Sequence, residues 1–214
     1  GGMGKGFASR WCKKNDVIIG SRDAERAVAA AAEYTTQAVE AYGQINGTIT
    51  GKDNISVAKE SQVLILSIPY DNIDSTCSQI LPEINDECVV VSPIVPMTKT
   101  DTGFECVAIK DNKPFSHQMV EKHMKDKTKL VSAFHVISEK KLINPTLVLD
   151  YDIFVAGDSK ESVEVINGLI NEIEGLRTIY LGSGTLAYLA EMCTPLLLNA
   201  MIRNKMKNPG IKIV

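Results

Sequence analysis

"GGMGKGFASRWCKKNDVIIGSRDAER", residues 1–26, joins a glycine-rich start to a helix-length run and then to an apolar strand candidate at 16–21. That order is half of a phosphate-cradling βαβ unit. In the fingerprint G-x-G-x-x-G the second glycine lets backbone approach a pyrophosphate, and the third lets the helix pack close to its strand. Gly1 and Gly4 have the spacing of those last two glycines, with Gly2 and Met3 between them. The expectation is an apolar strand and one more glycine before Gly1. A glycine-rich start is also what a cloning scar leaves, so the fragment alone says little.

The end of the following strand says more. A site for NAD carries an Asp or Glu there to accept from the ribose 2′-hydroxyl, whereas a site for NADP replaces it with groups that hold a 2′-phosphate. Here the strand ends in Gly20-Ser21-Arg22, with Arg26 one helical turn on. A hydroxyl, two guanidinium forks and the free N–H groups of a first helical turn suit a dianion. NADP rather than NAD follows. The rival reading is that Arg22 and Arg26 are solvated charges on a helix face.

The rest of the chain continues the alternation. Apolar, β-branched runs stand at 63–68, 88–93, 130–136, 153–156 and 178–182, each nearly continuous, as strands buried on both faces of a parallel sheet read. Helix candidates lie between them. Asp23 caps one that Gly43 stops after Tyr42; Asn54 caps a short one; Asp71 opens another; further candidates cover 114–126 and 159–173, and an apolar helix covers 186–202. The fold class is α/β, a Rossmann-type doubly wound parallel sheet with a smaller C-terminal α/β unit. The division falls at 1–128 for the NADP-binding part and 129–214 for the smaller one.

Totals exclude several classes. The 214 residues carry a net charge of -3 and 44% hydrophobic content, with no basic stripe interleaved with aromatics, so nucleic acid is a poor partner. No stretch approaches the ~18 consecutive apolar residues of a membrane span. Five scattered cysteines without a C-x-x-C imply a reduced, cytoplasmic chain. No H-E-x-x-H, G-x-S-x-G or Cys-His constellation is present, and His117 and His123 are spaced to face different sides of a helix. No metal and no catalytic acid or nucleophile are expected.

Pieces along nearly the whole chain resemble the NADPH-dependent reductases of the deazaflavin coenzyme F420, or F420H2:NADP oxidoreductases. They are "GKG" at 4–6, "VIIGSRDAE" at 17–25, "AAAEY" at 30–34, "SIPY" at 67–70, "VVVSPIVP" at 89–96, "VSAFHVI" at 131–137, "INEIEGLR" at 170–177, "CTPLLLN" at 193–199 and "GIKIV" at 210–214. The resemblance implies hydride transfer between NADP(H) and coenzyme F420, small-molecule cofactors acting as substrates. It implies that Gly1, Gly2, Met3 and Gly4 form the pyrophosphate loop and that Ser21, Arg22 and Arg26 hold the 2′-phosphate. Ile68 and Pro69 then sit at a strand's carboxyl end beside the ligand, His135, Ile137 and Thr194 line the deazaflavin side, and Glu139 stands near the nicotinamide carboxamide. The apolar last helix suggests a homodimer. Two other readings stay open: an NADP-dependent reductase with a flavin, ferric iron or an imine as acceptor, and a non-catalytic NADP-sensing module. The segments "SAFHVI" and "CTPLLLN" argue against a sensor, which has no use for them at an open cleft.

Overall fold

The computed structural model describes residues 1–214. Helix α1 (Gly2–Trp11) leads into β1 (Val17–Ser21), then α2 (Ala24–Tyr42), β2 (Ile49–Asp53), α3 (Asn54–Glu60) and β3 (Val63–Ile65). There follow α4 (Ile73–Ile80), β4 (Val89–Ser92), a hairpin of β5 (Met97–Thr100) and β6 (Gly103–Cys106), a short α5 (Val107–Lys110), and α6 (Ser116–Glu121). The chain ends with β7 (Leu130–Ser132), α7 (Glu139–Leu142), β8 (Tyr151–Gly157), α8 (Lys160–Asn171), β9 (Leu176–Gly182) and α9 (Ala187–Arg203).

Five strands form one sheet in the order β3-β4-β7-β8-β9, parallel throughout except that β8 runs against β7. Residues 129–214 therefore share a hydrogen-bonded ladder with the first half. Alternation across β4 feeds two cores: Val89 and Val91 point to the cluster built with Phe7, Trp11, Val163, Ile166 and Ile170, while Val90 joins Leu64, Leu66, Ile73, Ile80 and Val120 on the other face. Both faces of β4 being dry, its first three positions are all valine. β1 and β2 pair in parallel as a separate ladder, yet Val17 packs on the first cluster and Ile18 on the second.

Local chemistry sets the ends of α2. Asp23 accepts from the amides of Glu25 and Arg26, and Gly43 ends the helix at φ 75°, a conformation that costs a side chain and suits glycine. All six expected strands are present. The cap of α3 is Asp53 and not Asn54, because the Asp53 carboxylate reaches the amides of Ile55 and Ser56. The helix at 114–126 shortens to α6. Asp71 falls in a 3₁₀ turn that precedes α4.

Candidate functional site

The carboxyl ends of the parallel strands β3, β4 and β7 lie on one edge of the sheet, and the turn after β7 meets α1 through Phe7, Trp11 and Phe134 and α9 through Thr194 and His135. Gly1 precedes α1 and Gly2–Gly4 form its first turn, which has no side-chain cap and no acidic residue of its own. The amides of Gly2, Met3 and Gly4 are therefore the unsatisfied donors of a ten-residue helix, a ready anion site. The Met3 side chain packs inward against the main core. Gly4, which spacing assigns to close packing, has open space where a Cβ would stand; Gly6 makes the close approach instead, against Leu142. The carboxylate of Glu139 lies directly on Gly2, where a methyl group would overlap it. Glu139 thus stands at the N-terminal end of α1 in this structure.

At the end of β1, Ser21 accepts from the amide of Asp23 at 3.1 Å, which leaves its hydroxyl proton to give. Arg22 and Arg26 are exposed beside it. The amides of Glu25 and Arg26, expected to be free for a phosphate, are taken by Asp23 at 3.0 and 3.3 Å. Two guanidinium groups and a hydroxyl remain for an anion. The cap uses Oδ1 of Asp23.

The opposite wall begins where β7 ends. Phe134 is held at φ 71°, a left-handed conformation that costs a bulky residue on the order of 1–3 kcal/mol. Its ring meets Phe7 at 4.9 Å and Trp11 at 5.8 Å, both edge-on, and those two stack on each other at 4.7 Å. The α1 aromatics thus hold the turn that presents His135. The His135 ring is buried, and neither ring nitrogen has a hydrogen-bond partner. Burial first, then the neighbouring His117, pushes its pKa down to about 3, so the ring is neutral at physiological pH. A buried, unpartnered imidazole costs free energy unless something supplies a partner. Thr194 on α9 donates to the His135 carbonyl at 2.5 Å and fixes the backbone beneath the ring.

Ile137 is buried in the main core beside this turn. Ile68 packs against the second core cluster, and Pro69 is exposed at the carboxyl end of β3. His123 pairs with Asp74 at 2.8 Å, and His117 with Ser132 at 2.9 Å, so the two histidines serve separate contacts. Residues the sequence reading missed are Arg10 and Glu191. Arg10 is buried and donates to the carbonyls of Lys141, Leu142, Asn144 and Leu147, which ties α1 to the segment that follows Glu139. Glu191 is buried on α9 and accepts from two amides of α6. Neither has a sequence signal, since an Arg in a helix and a Glu in a helix read as surface charges.

The donors fit an anionic dinucleotide on one side, and the orphaned imidazole fits a polar ring on the other. Residues 1–96 match the family model for coenzyme F420-dependent NADP oxidoreductases. An F420-dependent NADP reductase of Methanocaldococcus jannaschii is 34% identical over 213 residues, covering 100% of this chain and 94% of that protein. Its namesake from Methanothermobacter thermautotrophicus is 31% identical over 215 residues, at 100% and 90% coverage. A crystal structure of a candidate F420-dependent NADP reductase from Arthrobacter sp. FB24 superposes with a TM-score of 0.79 over 100% of this chain and 96% of that one, and at 16% identity it speaks for the fold. Fold and site together define a Rossmann-type nucleotide-dependent oxidoreductase. The chain belongs to the F420-dependent NADP reductase family.

Proposed function

We propose that the cleft between the α1 and β1 ends and the His135–Thr194 wall is where NADP(H) and coenzyme F420 meet. The chain is an oxidoreductase of its family's kind, moving a hydride between these two cofactors. The cofactors bring the reacting atoms, nicotinamide C4 and deazaflavin C5, so the protein's work is to bind, orient and exclude water. The amides of Gly2, Met3 and Gly4, with Gly1 before them, take the pyrophosphate. Glu139, which lies against Gly2, turns outward to make room, which its exposed position allows. Ser21, Arg22 and Arg26 take the 2′-phosphate. Ile68 and Pro69 give apolar contact, Ile137 backs the His135 turn from the core, and a small shift of that turn brings the neutral His135 imidazole to a polar ring edge.

The observation that carries this reading is His135, a buried imidazole without a partner at the carboxyl end of the parallel strands. The direct experiment mixes purified protein with NADPH and F420 and follows the deazaflavin's visible absorbance. Its loss is expected; oxidation of NADPH only with a flavin, ferric iron or an imine would assign another acceptor. Thr194→Val keeps shape and removes the donor to the His135 carbonyl. A neutral hydrogen bond is worth about 0.5–1.5 kcal/mol, so the KM for F420 should rise roughly three- to tenfold while that for NADPH holds.

The reading includes a homodimer. Leu189, Met192 and Leu196 form an exposed apolar stripe on α9, with Leu196 61% exposed, and such a stripe suits a copy of itself across a two-fold axis. Leu196→Glu should halve the mass seen by light scattering; an unchanged mass would move the interface elsewhere. By length and composition Gly184–Arg203 could also cross a membrane. We read it as part of the cleft wall, because Glu191, Thr194 and Asn199 all bond within the fold. Five unpaired cysteines suit the reducing cytoplasm.

A further inference from the structure

On α9, Glu191 and Thr194 stand three residues apart and so share a face. One Glu191 oxygen accepts from the amide of Ser116 at 2.8 Å and the other from the amide of His117 at 2.9 Å. These are the first two amides of α6, and the carboxylate caps them from across the molecule. Pro195 lies inside the same helix and has no N–H to give to the Glu191 carbonyl. The helical ladder is therefore interrupted at the turn that carries Thr194. What seats that turn is tertiary: Glu191 on α6, Thr194 on the His135 carbonyl, and Tyr188 against Phe115 at 5.6 Å. The far end of the contact is anchored too, since His117 meets Ser132 of β7 at 2.9 Å.

We propose that Glu191 is a positioning residue for the F420 half of the reaction, a carboxylate that never touches the cofactors but sets where Thr194 and His135 stand. This rests on the reading of Thr194 and His135 as the acceptor wall. The nucleotide half does not depend on it, because α1 and the β1–α2 turn make no hydrogen bond to Glu191.

The clamp is sensitive to its own proton. Burial raises the Glu191 pKa to about 7 against the two amides, which favour the anion. A protonated carboxyl carries one O–H donor and serves two amide donors poorly. The ionisable groups around it are Tyr70, whose phenol is raised by burial and then by Glu191; His117 and His135, both lowered by burial; and Glu121 and Asp158, which act on His117. The histidines stay neutral near pH 7, which leaves Glu191 as the group that changes state there.

The experiment compares Glu191→Gln with wild type in NADPH-driven F420 reduction across pH. Small misplacements of a positioned wall cost about tenfold or more. The variant's KM for F420 should be about tenfold above wild type near pH ~8, and the two should converge near pH ~6 as the wild-type carboxyl becomes neutral. The KM for NADPH should match in both. An F420 gap that ignores pH, or an equal rise for NADPH, would reduce Glu191 to a structural residue. Thr194→Val run alongside separates the two failures. If it leaves F420 unaffected, the acceptor wall is wrong; if it raises the KM while Glu191→Gln does not, only the role of Glu191 is. Should Glu191→Gln not fold, wild type decides: F420 should slow amide exchange at Ser116 and His117, NADPH alone should not, and no slowing overturns the proposal.

Discussion

An Arg10→Leu variant is expected to melt about 10 °C below wild type. Arg10 sends its guanidinium into a site 6% exposed and donates to carbonyls at 2.9, 3.3, 2.5 and 2.9 Å, with no carboxylate in the set. Burial lowers its pKa from the ordinary value, and the group is still a cation at any pH the fold survives. Those carbonyls belong to the last turn of α7 and the loop after it; those of Lys141 and Asn144 also accept from backbone amides, whereas those of Leu142 and Leu147 have Arg10 as their partner. Leucine fills the space and leaves the oxygens of Leu142 and Leu147 without a donor. Hydrogen bonds to a charged group contribute about 1.5–3 kcal/mol each and do not add fully, so the loss should total about 3–5 kcal/mol. For a chain of this size each kcal/mol moves the melting point by about 2–4 °C. Arg10→Lys should recover less than half, because an ammonium cannot serve a fork of four acceptors. The single tryptophan, Trp11, sits next to Arg10 and stacks on Phe7, so its emission reports the same transition. A melting point within 2–3 °C of wild type, roughly 1 kcal/mol, would show that water satisfies those carbonyls.

The second large effect concerns cofactor choice. Arg22→Ala should raise the KM for NADPH about tenfold, and Arg22→Ala with Arg26→Ala about a hundredfold, while NADH use stays nearly constant. Both side chains are exposed, which keeps each single value at the low end of the range for charge-assisted bonds. High salt should shrink the difference between wild type and the double variant, since screening weakens attraction at an exposed phosphate. Equal weakening toward NADPH and NADH would mean that the arginines serve the shared part of the dinucleotide.

How much of this was legible beforehand differs from element to element. All six apolar runs became strands, and those that became β4, β7 and β8 are buried at every position, because a strand covered on both faces needs a nearly continuous apolar sequence. β2, "ITGKD", escaped notice because its positions beyond Ile49 are half-exposed or exposed and one of them is glycine. The β5–β6 hairpin escaped because its edge is completed by Asn199, which bonds both the amide and the carbonyl of Phe104 from 95 residues away.

The site divides along the same line. The sequence by itself determined the doubly wound alternation, both caps of α2, and the cluster of Ser21, Arg22 and Arg26, because each depends on residues within a turn or two of one another. Only the tertiary structure decided that Glu139 lies on Gly2 and that Phe134 twists left-handed under the aromatics of α1. It alone decided that a buried arginine and a buried glutamate tie α1 to α7 and α9 to α6. The partners of Arg10 and Glu191 are backbone carbonyls and amides, which every residue possesses. No residue type at the far end announces them, and a charge meant for the interior looks in sequence like a charge meant for water.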